Sequence, residues 1–129
     1  MPPDLEAILP SDKIETEKAE AIVALGFPAV APVLPLLVEW MQDMNWPVAQ
    51  TLQPFLASIG APLAPHIRHV LETDDDIWKY WVVRCVVGES DELAQVLKPE
   101  LLRLASLPTP GEADEEVDQM AREILERVN

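Results

Sequence analysis

Two short stretches of the chain gather side chains able to bind or react. Residues 40–47 hold Trp40, Asp43, Asn45, Trp46 and Pro47, and residues 78–84 hold Trp78, Lys79, Tyr80, Trp81 and Arg84. Two indoles beside a carboxylate and an amide make a recognition patch, because tryptophan carries a disproportionate share of binding energy at interfaces. The grammar of a helix start accounts for the first stretch equally well. In that reading Asn45 caps the next helix, Pro47 sits in its first turn, Asp43 complements its dipole, and the indoles pack between units with their N–H groups on carbonyls. In the second stretch Trp78 and Trp81 share a helical stripe with Cys85 and are expected in the core. Lys79 and Tyr80 point elsewhere, and Arg84 is free to meet a carboxylate or an aromatic ring. The candidate binding set is therefore Trp40, Asp43, Asn45, Trp46, Trp78, Tyr80 and Arg84, with Trp46 and the second cluster expected to share a groove.

Other residue types offer less. His66 and His69, with Glu72, share a helix face, but helical projection puts them on the flank and solvent side of their apolar stripe. A tight metal site needs more ligands and a supporting shell, so no metal and no cofactor is expected. Asp74-Asp75-Asp76 lacks the glycine and closing glutamate of a calcium loop and reads as a cap and turn. Cys85, between Val82 and Val86, reads as a small hydrophobe rather than a nucleophile. No glycine-rich phosphate loop, Gly-x-Ser-x-Gly or His-Glu-x-x-His occurs. No catalytic residue can be named, and the chain is not expected to be an enzyme.

The elements that would position these residues are helices. Val48, Leu52, Phe55, Leu56 and Ile59 form one stripe; Trp78, Trp81, Val82, Cys85 and Val86 another; Ala113, Val117, Met120, Ala121, Ile124, Leu125 and Val128 a third. Strand-like alternation is absent. The spacing predicts helices near 14–25, 29–41, 47–59, 62–73, 76–87, 91–106 with a break at Pro99, and 112–128, after a short turn at 4–9. Gly26, Gly60 and Gly88 follow apolar stripes, where a C′ glycine takes a left-handed conformation without steric cost. Pro28 and Pro62 then open the next helix, and Asp75 or Asp76, Asp91 and Glu112 lie near helix starts. Pro35 and Pro54 fall inside predicted helices and are expected to kink them.

Leu25-Gly-Phe-Pro28 and Ile59-Gly-Ala-Pro62 are related by a shift of 34 residues, and a second such shift carries Pro65 to Pro99. Helix pairs joined by Gly-x-Pro turns resemble HEAT-like solenoids in a shortened form. The expected fold is all-α: a single domain over 1–129, a short HEAT-like superhelix of about three helix pairs plus a C-terminal capping helix. A narrower resemblance lies in Leu25 to Pro35, Trp40 to Ala49, Asp76 to Trp81 and Pro110-Gly-Glu112, most specifically in Gln-Asp-Met-Asn-Trp-Pro-Val-Ala at 42–49. The chain resembles a small bacterial family of HEAT-like domains of unknown function, which implies a fold and no reaction.

Composition bounds the partner. Of 129 residues, 23 are acidic and nine basic, a net charge of −14, which argues against nucleic acid or an anionic membrane as partner. Residues 112–127 contain seven acids and two arginines, a negative face that serves solubility or docks a basic protein. The longest apolar run, Phe27 to Val38, has 12 residues and three prolines, too short to span a bilayer. With one cysteine and no basic, apolar leader at Met1-Pro2-Pro3-Asp4, a cytoplasmic protein is expected. The expected function is a non-catalytic protein-binding module with a basic partner, such as a toxin it neutralises, or a scaffold. A monomer, or a weak homodimer through Trp40 or Trp46, is expected. The alternative is a HEAT-like DNA glycosylase with Trp46, Asp43, Trp78 and Arg84 lining a base-binding groove, a reading the charge disfavours.

Overall fold

Apolar side chains at helical spacing, punctuated by glycine and proline, fold as the pattern dictates. The computed structural model describes residues 5–128, the side chain of Glu6 excepted. Among them the regular elements are all helical: α1 (Leu5–Ile8), α2 (Thr16–Leu25), α3 (Leu34–Glu39), α4 (Pro47–Ile59), α5 (Ala64–Leu71), α6 (Asp76–Cys85), α7 (Asp91–Val96), α8 (Lys98–Ser106), α9 (Pro110–Asp114) and α10 (Val117–Val128). Single 3-10 turns occupy Ala31–Val33, Trp40–Gln42, Ala61–Leu63 and Val87–Glu89. The expected turn at 4–9 is present as α1, and its first residue, Asp4, lies outside the described residues.

Two glycines end helices as expected: Gly26 closes α2 at φ +74° and Gly60 closes α4 at φ +76°. Gly88 does not, because it sits inside the 3-10 turn after α6 without a positive φ. Prolines mostly begin elements rather than bend them. Pro35 and Pro99 lie in the first turns of α3 and α8, where the missing N–H has no helical partner to lose. Only Pro54, of the two expected kinks, is interior to its helix. Ile14, the predicted first residue of this helix, lies outside α2 and is 66% exposed, and α2 buries Ala19 and Ile22. The last predicted helix divides: α9 stops at Asp114, Glu116 turns at φ +64°, and α10 buries Val117, Ala121, Ile124 and Leu125.

The helix ends echo at 34 residues, Gly26 to Gly60, but the following 3-10 turns, Ala31–Val33 and Ala61–Leu63, are 30 apart. Residues 27–30 supply the difference as an extra loop, so the two units are not exact copies. The third unit departs further, since α7 intervenes between α6 and α8. Packing follows the same course. α2 lies against α4 and α3 against α5, whereas α6 packs on α5 and on the 40–42 turn. α10 then covers α8, α6 and α7, closing the C-terminal end. One continuous core runs through the molecule from Ala19 to Leu125, with Leu37, Met41, Leu52, Ile67, Val82, Leu93, Leu101 and Leu104 fully enclosed. No described helix is long and apolar enough to cross a membrane.

Candidate functional site

The 40–47 stretch forms the junction between α3 and α4. Asp43 Oδ1 accepts the Asn45 backbone N–H at 2.9 Å and the Asp43 carbonyl accepts that of Trp46 at 3.2 Å, a compact turn that aims the chain into α4. Asn45 is not the cap. The N-cap position falls on Trp46, in extended conformation (ψ 133°), with no side chain bonding the first-turn amides. Its Pro47 removes one of those amides, and Thr51 and Gln50 bond back to the carbonyls of Pro47 and Met44. Asn45 is left exposed, with no role the geometry explains.

That turn brings Trp46 onto Trp40. Their rings meet edge to face, centroids 5.8 Å apart and planes at 78°. Together with Leu9, Pro10, Leu36, Glu39 and Gln42 they line an open cleft of about 290 Å³. Leu36 is a large exposed apolar residue, and the carboxylate of Glu39 has no ion-pair partner among the described residues. Glu39 also borders a second cleft of about 290 Å³, with Pro35, Val38, His66, His69, Val70 and Trp78. Trp78 forms part of its floor. It is 9% exposed, and its Nε1–H donates to the Val38 carbonyl at 3.0 Å, so it belongs to the core as its stripe demands. Burial, and then the neighbouring His69, lower the pKa of His66, so its imidazole is neutral at neutral pH. Glu72 opens instead to a different cleft with Arg68, Glu100 and Arg103.

The expected common groove does not form. Tyr80 and Arg84 line a separate cleft of about 460 Å³ with Glu89, Met120, Glu123 and Arg127. Arg84 Nη1 donates to Tyr80 Oη at 3.0 Å, and Tyr80 stacks edge-on against Trp81. Trp81 is half-buried, not enclosed, because its flank of α6 looks toward the exposed acids 114–116. Trp46, Trp78 and Arg84 thus line three different clefts, and the Asp43 carboxylate accepts the Asn45 N–H within its own turn. Cys85 is partly buried, and burial, set against Arg84, keeps its thiol above the usual range and protonated.

A charged cluster that the motifs did not single out is buried between α6, α8 and α9. Glu112 is 1% and Lys79 4% exposed. Lys79 Nζ donates to Glu112 Oε2 and to Asp76 Oδ1, each at 3.0 Å, while Arg103 grips both oxygens of Glu112. Thr109 completes a capping box: its hydroxyl accepts the Glu112 N–H, and Glu112 Oε1 accepts the Thr109 N–H. Burial alone would raise the pKa of Glu112, but Arg103, the Thr109 amide and Lys79 outweigh it and hold the carboxyl at about 2. Burial opposes the charge on Lys79 too, and Asp76 and Glu112 reverse that, leaving its pKa raised. A protonated, enclosed lysine is no nucleophile, and a carboxylate with every acceptor direction engaged is no base. The cluster is a structural knot. Its sequence signal was Thr109-x-x-Glu112, a capping box, with Asp76 and Lys79 one turn apart.

An all-helical domain with an aromatic cleft beside an unpaired carboxylate is what the chain presents. It belongs to the DUF5071 family, a domain of unknown function, which matches residues 8–125. No curated protein matches it.

Proposed function

We propose that the domain is a non-catalytic protein-binding module, a short HEAT-like helical stack whose partner is a basic protein. The side-by-side placement of α2 with α4 and α3 with α5 supports the repeat-stack reading. The observation that carries the binding reading is the distribution of charge. Lys18, Arg68, Lys79, Arg103, Arg122 and Arg127, six of the nine basic residues, are held by the protein's own carboxylates, so the surplus of acid faces outward nearly undiluted. Such a surface steers cationic partners and repels phosphate backbones. The Trp40–Trp46 cleft supplies an aromatic anchor within that field, and no described cluster combines a nucleophile with a base. The test is affinity capture from the extract of the native cell at low and moderate salt, with captured proteins identified. A basic partner that leaves as salt rises supports the reading; recovery of none at either salt counts against it.

A further inference from the structure

The cleft between α1 and the α3–α4 junction is chemically more specific than an apolar slot. Trp40 and Trp46 stand nearly at right angles, like two adjoining walls of a box, and Leu9, Pro10 and Leu36 close it with apolar surface. The one ionisable group on its rim is Glu39, exposed and without a cationic partner among the described residues. Neither indole N–H donates to a protein acceptor among the described residues, in contrast to that of Trp78. Indole faces carry negative potential and attract cations, most strongly where water is displaced, and a carboxylate alongside adds direct attraction. A space of about 290 Å³ is roomy for a bare ammonium, whose tight hydration resists removal, and suits a larger, softer cation with apolar flanks.

We propose that this corner takes the alkylammonium head of a lysine side chain on a partner protein, most tightly when that lysine is methylated. The proposal rests on the protein-binding reading above and names the chemical group that would enter the anchor cleft. Trp40 and Trp46 hold the charge by cation–π contact, Glu39 neutralises it, and Leu36 and Pro10 receive the methyl groups and stem.

The probes are capped Gly-X-Gly peptides in which X is lysine, trimethyl-lysine, the neutral tert-butyl isostere of trimethyl-lysine, or arginine, with choline as a free quaternary ammonium. Binding is read from the four indole N–H resonances of the intact chain, assigned with W40F and W46F. Trimethyl-lysine should shift the Trp40 and Trp46 signals and bind about tenfold tighter than the neutral isostere. E39Q, on an exposed residue that leaves the fold intact by circular dichroism, should weaken it roughly three- to tenfold. Equal binding of the neutral isostere, tighter binding of arginine or of choline, or shifts confined to Trp78 and Trp81 would overturn the proposal. If no lysine peptide binds while a basic protein is still captured, this inference falls alone. If neither binds, the module reading falls with it.

Discussion

Glu112 is the residue on which the C-terminal third depends. It is enclosed, charged, and bonded to Arg103, Lys79 and Thr109. Removing one member of a buried ion pair strands the other, so Glu112→Gln should cost about 3 kcal/mol or more in urea unfolding. The pH dependence has a defined sign. A carboxyl at about 2 in the folded chain and near 4.5 when unfolded contributes stability above pH 4.5 that disappears as pH falls toward 2. The gap between wild type and E112Q should therefore narrow over that window; a gap that holds constant from pH 6 to 2.5 would show that Glu112 is not the titrating group. Gly111 adds a steric condition, because a Cβ there would collide with Asp76 Oδ2, the carboxylate that also holds Lys79. Legibility divides at this scale. Trp78 in the core was readable from its stripe. Lys79 was not, since a lysine on a polar flank looks solvated until the chain thirty residues on brings its carboxylate.

At the scale of elements, helix ends were legible where backbone geometry demanded glycine and illegible where loops absorbed irregularity. Gly26 and Gly60 are both left-handed, yet their surroundings differ. A Cβ on Gly26 would meet open space, whereas one on Gly60 would lie 2.9 Å from the Glu92 carboxylate, which accepts the Ala61 N–H at 2.9 Å. Gly26→Ala should cost about 2 kcal/mol, the conformational penalty alone at φ +74° and ψ 179°, and Gly60→Ala measurably more. Equal losses in thermal unfolding would show that Glu92 yields freely. The junction at 40–47 teaches the complementary point: the sequence supports Asn45 as a cap, but the Asn45 amide is bonded to Asp43, and the cap position falls one residue on, at Trp46, whose side chain caps nothing, while the helix still begins at Pro47. Short-range competition of this kind between two good turn formers is not resolved by residue type. The Trp40–Trp46 contact, by contrast, was within reach of sequence because both lie at one short turn. The proposed groove joining Trp46 to Tyr80 and Arg84 assumed a regular repeat, and the four extra residues at 27–30 together with α7 break that regularity.

For the whole molecule, charge is the dominant long-range term. A net charge of −14 on 129 residues opposes compaction, and most basic side chains are already neutralised by near neighbours. Salt in the range of 0.05–0.5 M should then raise the unfolding temperature by a few degrees near pH 7, through screening that outweighs the loss of exposed ion pairs. A fall would mean that pairs such as Arg68–Glu100 carry more than exposed bridges ordinarily do. Fold class was legible at this scale because helical spacing persists through nearly every segment. The path by which α10 returns over α6, α7 and α8 was not, because no local signal encodes which distant helix an amphipathic face will choose.

The knot of Glu112, Lys79, Arg103 and Asp76 straps together α6, α8 and α9, although α7 lies between the first two in the chain. Amide protons across 76–85, 98–106 and 110–114 should consequently exchange with deuterium as a single cooperative block, slower than α2, and a charge-removing change at Lys79 should release all three together.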